Sequence, residues 1–216
     1  MKKILLLIVA MVLVASTAFA WTVVGSRHDL SSANVGGQVC VFCHTPHNAN
    51  TSAGPLWSHS TSIATFTLYT SATLDNAIGQ PSGMSKACMG CHDGTVGVGV
   101  ISNGRTKGWF ATTGHDGAAS YASGGAILNT NAAYIGTDLR DDHPVSIEYS
   151  AVADTGLRAP TGDTVVNGLV TLQLYGAGPT YKVECASCHN VHNNTAVPFL
   201  RTSNSNSQIC TTCHLK

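Results

Sequence analysis

The sequence predicts a mostly irregular chain with short helices and a few short β-strands. Charged residues make up only 10% of the 216 residues, against about 25% in ordinary globular domains. Aromatic residues are 6% of the chain and glycines number 22, so there is little large apolar bulk for a conventional core. The pentapeptide Cys-x-x-Cys-His occurs four times and uses all eight cysteines. We therefore expect the fold to be organised around these four motifs.

The four motifs predict covalently bound haem. Cys-x-x-Cys-His is the c-type haem attachment sequence, in which both thiols bind the haem and the histidine is the proximal iron ligand. Structural zinc or a disulfide framework would explain paired cysteines, but not a histidine after every pair. We expect four c-type haems, with the polypeptide wrapped around their stack. The attachment residues are Cys40, Cys43, Cys88, Cys91, Cys185, Cys188, Cys210 and Cys213, and the proximal ligands are His44, His92, His189 and His214.

The N-terminus predicts export. Lys2 and Lys3 precede an apolar run over 4–15, and Ala18-Phe19-Ala20 is a small-x-small cleavage site, the pattern of a secretory signal peptide. The run is too short to span a bilayer, so we expect no membrane insertion. We predict a cleaved signal peptide at 1–20 and one tetrahaem domain at 21–216. Without the two lysines the chain has nine basic and eleven acidic residues, a formal charge of −2, which does not suit nucleic acid as a partner.

Short regular elements are expected at particular places. A helical turn at each motif would direct two thiols and one imidazole at the same haem. Between the second and third motifs, Val145–Tyr149 alternates as a strand does. Thr164–Val166 and Leu169–Leu172 flank Asn167-Gly168, which predicts a hairpin with a type I′ turn. The glycine-rich segment 117–125 is predicted to be an exposed loop.

Six histidines remain as candidate distal iron ligands. Four irons need up to four of them, so the chain has enough for bis-histidine ligation throughout. His47 and His192 each follow a proximal histidine by three residues, which places both on the same side of a helix, and each would bind a neighbouring haem. His143 precedes a proline, which favours an extended backbone that projects the imidazole. The four distal ligands are expected among His143, His192, His47, His28 and His59.

Two alternatives stay open at the fourth distal position. Either His28 or His59 could fill it, whereas His115 lies between flexible residues and is expected to be a bystander. Methionine is the other side chain that commonly takes this position, and it raises the haem potential. Met84 is the competitor, because Met89 lies inside a motif.

Several segments resemble a known family. Cys40–His47, Asp141–Pro144, Cys185–His192 and Ile209–His214 resemble secreted multihaem c-type cytochromes of the extracellular nanowire type, in particular the OmcE-type tetrahaem cytochromes. The resemblance implies bis-histidine haems in alternating stacked and T-shaped pairs. It also implies head-to-tail filaments in which a distal histidine comes from the neighbouring subunit. His28, which precedes every motif, would be the donor.

These observations together predict an electron carrier and not an enzyme. The favoured function is extracellular electron transfer, with filaments conducting from haem to haem toward external acceptors and other redox partners. The alternative is a discrete periplasmic tetrahaem shuttle. A multihaem reductase is less favoured, because it needs an open coordination position and the histidines are in surplus.

Overall fold

The computed structural model describes residues 23–31, 37–100 and 125–215, and most of this chain is irregular. Its main regular elements are a 3-10 turn (Cys40–Phe42), α1 (Gly83–His92), β1 (Ile147–Glu148), β2 (Thr164–Asn167), β3 (Val170–Gln173), β4 (Lys182–Val183), α2 (Cys185–Cys188), a second 3-10 turn (Ser205–Ser207) and α3 (Gln208–Cys213). The predicted combination of irregular chain, short helices and short strands is confirmed. None of the described helices is long and apolar enough to cross a membrane. The predicted signal peptide at 1–20 and nearly all of the predicted loop at 117–125 lie outside the described residues.

Each motif lies in a helical turn, as predicted. In three motifs the amide of the histidine donates to the carbonyl of the first cysteine, at 2.8 Å for His44, 3.0 Å for His189 and 2.9 Å for His214. This bond closes one helical turn around the motif. In the second motif the helix continues through His92, the last residue of α1.

The helical turns end before His47 and His192, which were expected to lie on the same helix face as the proximal histidines. The first turn ends at Phe42 and α2 ends at Cys188. His47 and His192 therefore lie in irregular chain, and the expectation that a continuing helix carries them is wrong. Their candidacy as ligands depends on the tertiary geometry described below.

β2 and β3 form the predicted hairpin, but its turn comes one residue later than predicted. Asn167 pairs with Val170, so the loop consists of Gly168 and Leu169. A type I′ turn needs positive φ at both loop residues, whereas glycine alone at the first position is typical of type II′. Gly168 has a φ of +61°, and Leu169 is not among the residues with positive φ. The side-chain Nδ2 of Asn167 donates to the carbonyl of Thr211 at 3.0 Å, which holds this residue in the strand.

The core of the described residues includes two small apolar clusters. Of the strand predicted over 145–149, only Ile147–Glu148 is regular, and it pairs antiparallel with β4. This sheet and the hairpin enclose the larger cluster, while α1 contributes to the smaller one. α2 packs against α1, and α3 packs against both strands of the hairpin. The larger cluster contains Tyr149, Leu157, Val165, Leu174 and Val183, and the smaller contains Phe66, Met89 and Leu139.

Candidate haem-binding site

The thiols of the first three motifs lie close to one another. Cys88 and Cys185 are hydrogen-bonded through their side chains, and this bond together with burial raises the pKa of Cys88. Burial also raises the pKa of Cys91, and the nearby charge of Cys43 raises it further. The second motif therefore adjoins the first on one side and the third on the other.

The fourth motif continues this order. Burial raises the pKa of Cys188 to about 11, and the charges of Cys213 and Cys210 contribute to the shift. Thiols of successive motifs thus lie near one another. Cofactors attached to successive motifs would therefore be neighbours.

The proximal imidazoles are oriented by backbone carbonyls. Nδ1 of His92 lies 2.7 Å from the carbonyl oxygen of Ala133, and Nδ1 of His189 lies 3.0 Å from that of Pro198. Because a carbonyl oxygen only accepts, Nδ1 carries the proton in both rings and Nε2 keeps its lone pair. This is the second-shell arrangement that metal-binding histidines commonly have. For His44, burial lowers the pKa, and a hydrogen bond to the Pro55 backbone opposes that effect.

Three proximal imidazoles face a second imidazole at nearly the same separation. The ring centroids are 5.9 Å apart for His44 and His192, 6.0 Å for His92 and His28, and 6.4 Å for His214 and His143. Metal–imidazole bonds of about 2 Å on opposite sides of one ion place the two centroids about 6 Å apart. The described residues therefore fit bis-histidine ligation of a haem iron at three of the four motifs.

His28 and His143 are each suited to bind an iron. Burial lowers the pKa of His28 to about 4, with the charges of His92, His189 and His192 adding to the effect, so its ring is neutral near pH 7. A neutral imidazole is the form that binds metal. In His143, Nδ1 lies 3.0 Å from the carbonyl oxygen of Pro144, which leaves Nε2 available.

His59 has a different environment. Its side chain is buried, with Nδ1 2.6 Å from the carbonyl oxygen of Ser60 and Nε2 3.0 Å from that of Gly97. Both ring nitrogens are thus occupied by backbone oxygens, and Nε2 lies 3.6 Å from the sulfur of Cys91. This geometry favours a role in packing the loop against the second motif.

The fourth pair is incomplete in the part of the chain that the structure describes. No second imidazole faces His189 there as the other three pairs do. His47 is exposed, and among the described residues its ring has no hydrogen bond and no ring contact. Met89 is 1% exposed within the smaller core cluster, and Met84 lies in α1 against Gly54. His115 lies outside the described residues.

An unpartnered donor lies beside the first motif. Nε1 of Trp57 is buried, and within the described ranges it has no hydrogen-bond partner. The indole stands edge-on to His44, with ring centroids 6.5 Å apart. Leaving a buried N–H unpaired costs about 1–3 kcal/mol, so an acceptor is expected here. The propionate carboxylates of a haem bound at this motif would be chemically suited to accept this bond.

Some residues of the site carry no recognisable sequence signal. The carbonyls of Ala133 and Pro198 orient iron ligands, yet every residue type supplies a carbonyl. Their roles follow only from the path of the chain. Trp57 could have been noted as one of three tryptophans, but its neighbour His44 lies thirteen positions away, so the contact depends on the loop between them.

A known family matches the C-terminal part of the chain. Residues 178–216 match the family described as Doubled CXXCH motif, and this span contains the third and fourth motifs. No curated protein matches the chain. The match indicates a multihaem c-type cytochrome, in which such motifs hold haem covalently and the protein transfers electrons.

Proposed function

We propose that this multihaem c-type cytochrome binds four haems and acts as an extracellular electron conduit that polymerises into filaments. The observation that carries the proposal is the order of the motifs, whose thiols adjoin one another from the first to the fourth. A series of adjoining cofactors suits transfer along the molecule rather than reaction at one centre. The haem supplies the chemistry, since its iron takes up and releases one electron at a time.

The side chains would hold the haems in place and bind their irons. The eight thiols would fix the four haems, two thiols to each haem, and the three pairs of facing imidazoles would each bind one iron. Backbone carbonyls at Ala133 and Pro198 keep two of these rings oriented. An iron with both positions filled leaves no site for a substrate, which favours a carrier over a reductase.

We further propose that subunits assemble head to tail through a shared iron ligand. The resemblance implied that His28 is the donor, but in this structure His28 faces His92 of its own chain. His47 is exposed, and His189 faces no second imidazole among the described residues. These two observations favour His47 as the donated ligand. It would bind the iron of the haem attached to the third motif of the neighbouring subunit. Such a heterologous contact produces an open filament when it does not close into a ring.

The first test is electron cryo-microscopy of protein sheared from the cell surface. We expect filaments with a continuous series of haems and with His47 bound across each subunit interface. Discrete monomers with four six-coordinate haems would instead support the periplasmic shuttle. A high-spin signal in the oxidised wild-type protein would contradict the carrier and support a reductase.

A matched pair of variants tests the shared ligand. His47→Ala should abolish filaments and leave one haem per subunit without a sixth ligand. His59→Ala removes an imidazole only twelve residues away and should leave both filaments and ligation intact. Filaments with all haems six-coordinate in His47→Ala would contradict the assignment of His47, and the same result in His28→Ala would exclude His28 as the donor.

A further inference from the structure

A buried carboxylate lies between the second and third motifs. Glu184 directly precedes Cys185 and is 3% exposed. Its oxygens accept hydrogen bonds from the hydroxyl of Ser146 at 2.9 Å and that of Ser82 at 3.3 Å. The backbone N–H of Ser187 donates to the same carboxylate, while the Ser187 hydroxyl accepts from the Glu184 amide at 3.0 Å. An ionised carboxylate only accepts hydrogen bonds, and each of these contacts is with a group that can donate.

The donors around Glu184 come from separate parts of the chain. Ser82 precedes α1, which carries the second motif, and Ser146 lies three residues after His143. The amide of Ser82 also donates to the Ser146 hydroxyl at 2.8 Å. Close by, the amide of Cys185 donates to the buried hydroxyl of Ser85 at 3.0 Å. This network therefore fixes the start of α1 against the start of α2.

Glu184 makes no ion pair with a basic side chain in the described residues. The ion pair between Arg140 and Asp138 lies on the surface. Burying an ionised carboxylate away from water is costly unless hydrogen bonds and an opposite charge compensate it. The hydrogen bonds are present, and an oxidised haem iron with two neutral imidazole ligands would supply positive charge. A nearby negative charge stabilises the oxidised iron more than the reduced iron, because the positive charge on the iron decreases when it takes up an electron.

We propose that Glu184 is a positioning residue that holds the second and third motifs together and, through its charge, lowers the reduction potential of a haem bound there. This inference depends on haem loading, which it shares with the proposed function, but not on filament formation. It is a role for a side chain that binds neither haem nor iron.

The test is spectroelectrochemical titration of haem-loaded Glu184→Gln, with Glu148→Gln as the matched control. Glu148 is the other glutamate of the chain, and it is exposed on β1. Glutamine keeps the size of the side chain and removes its charge. We expect a positive shift of at least one haem potential in Glu184→Gln, with unchanged haem content and low-spin spectra, and no shift in Glu148→Gln. Unchanged potentials in Glu184→Gln, or equal shifts in both variants, would overturn the inference.

Glu184→Asp covers the case in which Glu184→Gln fails to load haem. If the charge is what matters, Glu184→Asp should still load four haems while Glu184→Gln does not. Failure of both variants would show that a negative charge at this position is not sufficient for haem loading, and the inference would fall. Filament formation by the wild-type protein is scored separately. A potential shift without filaments would keep the role of Glu184 and reject the conduit.

Discussion

Each histidine side chain is defined by what its two ring nitrogens contact. In His92 and His189 one nitrogen donates to a carbonyl and the other remains available. In His59 both nitrogens face carbonyl oxygens. Histidine content therefore sets only an upper limit on the number of iron ligands, and the surrounding backbone selects among the candidates.

This difference gives a spectroscopic prediction. His192→Ala should remove the imidazole 5.9 Å from His44 and convert one haem from low-spin to high-spin, because its iron loses a ligand. Electron paramagnetic resonance of the oxidised, haem-loaded protein would measure the change. His59→Ala is the control and should keep every haem low-spin, although the protein becomes less stable. Identical spectra for the two variants would contradict the pairing of His44 with His192.

A glycine inside the second motif gives a prediction about stability. A Cβ added at Gly90 would lie 2.7 Å from the carbonyl oxygen of Ser60, closer than real contacts allow. We expect Gly90→Ala to destabilise the protein by about 1–3 kcal/mol, the usual cost of overpacking. This exceeds the gain of about 0.5–1 kcal/mol that alanine brings to a helix. Guanidinium unfolding of the haem-loaded protein, followed by haem absorbance, would measure the difference.

Gly79→Ala is the matched control for this experiment. Its Cβ would meet nothing nearer than 3.9 Å, so the unfolding free energy should stay the same or rise slightly. Equal unfolding free energies for the two variants would mean that the loop at Ser60 moves aside without cost.

Single residues differ in how well the sequence predicts their roles. The thiols and proximal histidines follow from a five-residue pattern, because their chemistry requires adjacency. The carbonyl that orients His92 belongs to Ala133, 41 residues away. No local pattern encodes such a contact, because it arises only when two distant parts of the chain pack together.

At the scale of elements, local propensity predicted the type of structure better than its boundaries. The hairpin was correctly expected from two β-branched and apolar runs around a glycine. Its turn shifted by one residue because Asn167 donates to Thr211 in α3, a contact from 44 positions further along the chain. Tertiary hydrogen bonding thus overrode the usual Asn-Gly turn preference.

The hairpin supports the fourth motif, and two leucines on it test this. Leu172 is 1% exposed and Leu169 lies fully exposed at the turn. Leu172→Ala should cost about 2–5 kcal/mol, as large-to-small changes in a core do, whereas Leu169→Ala should stay within about 0.5 kcal/mol. Thermal unfolding of the haem-loaded variants would measure both. Since α3 packs on both strands, a comparable effect from both leucines would argue that the hairpin is not part of the core.

At the scale of the whole molecule, the apolar core of the described residues is small. Sixteen hydrophobic side chains are buried there, eight of them in two separate clusters, which is little apolar surface for a domain of this size. The low aromatic content predicted this shortage. The order of the motifs in space was not predictable, because it depends on contacts such as the one between Cys88 and Cys185.

A small core predicts that folding depends on haem attachment. The chain produced without haem should be rapidly digested by protease and should lose most of its secondary structure by circular dichroism, as metal-dependent small domains do without their ion. Haem-loaded protein from the same sequence is the control. Equal protease resistance of the two forms would show that the polypeptide alone is sufficient for the fold.

The use of backbone carbonyls as orienting groups has a consequence for evolution. At positions 133 and 198 the side chain contributes nothing to the hydrogen bond, because every amino acid supplies the same oxygen. Substitutions at position 133 should therefore be tolerated over long divergence, while insertions or deletions would displace the acceptor and turn the ring. We expect relatives of this chain to vary freely in residue type at position 133 and to keep the lengths of the loops around both carbonyls.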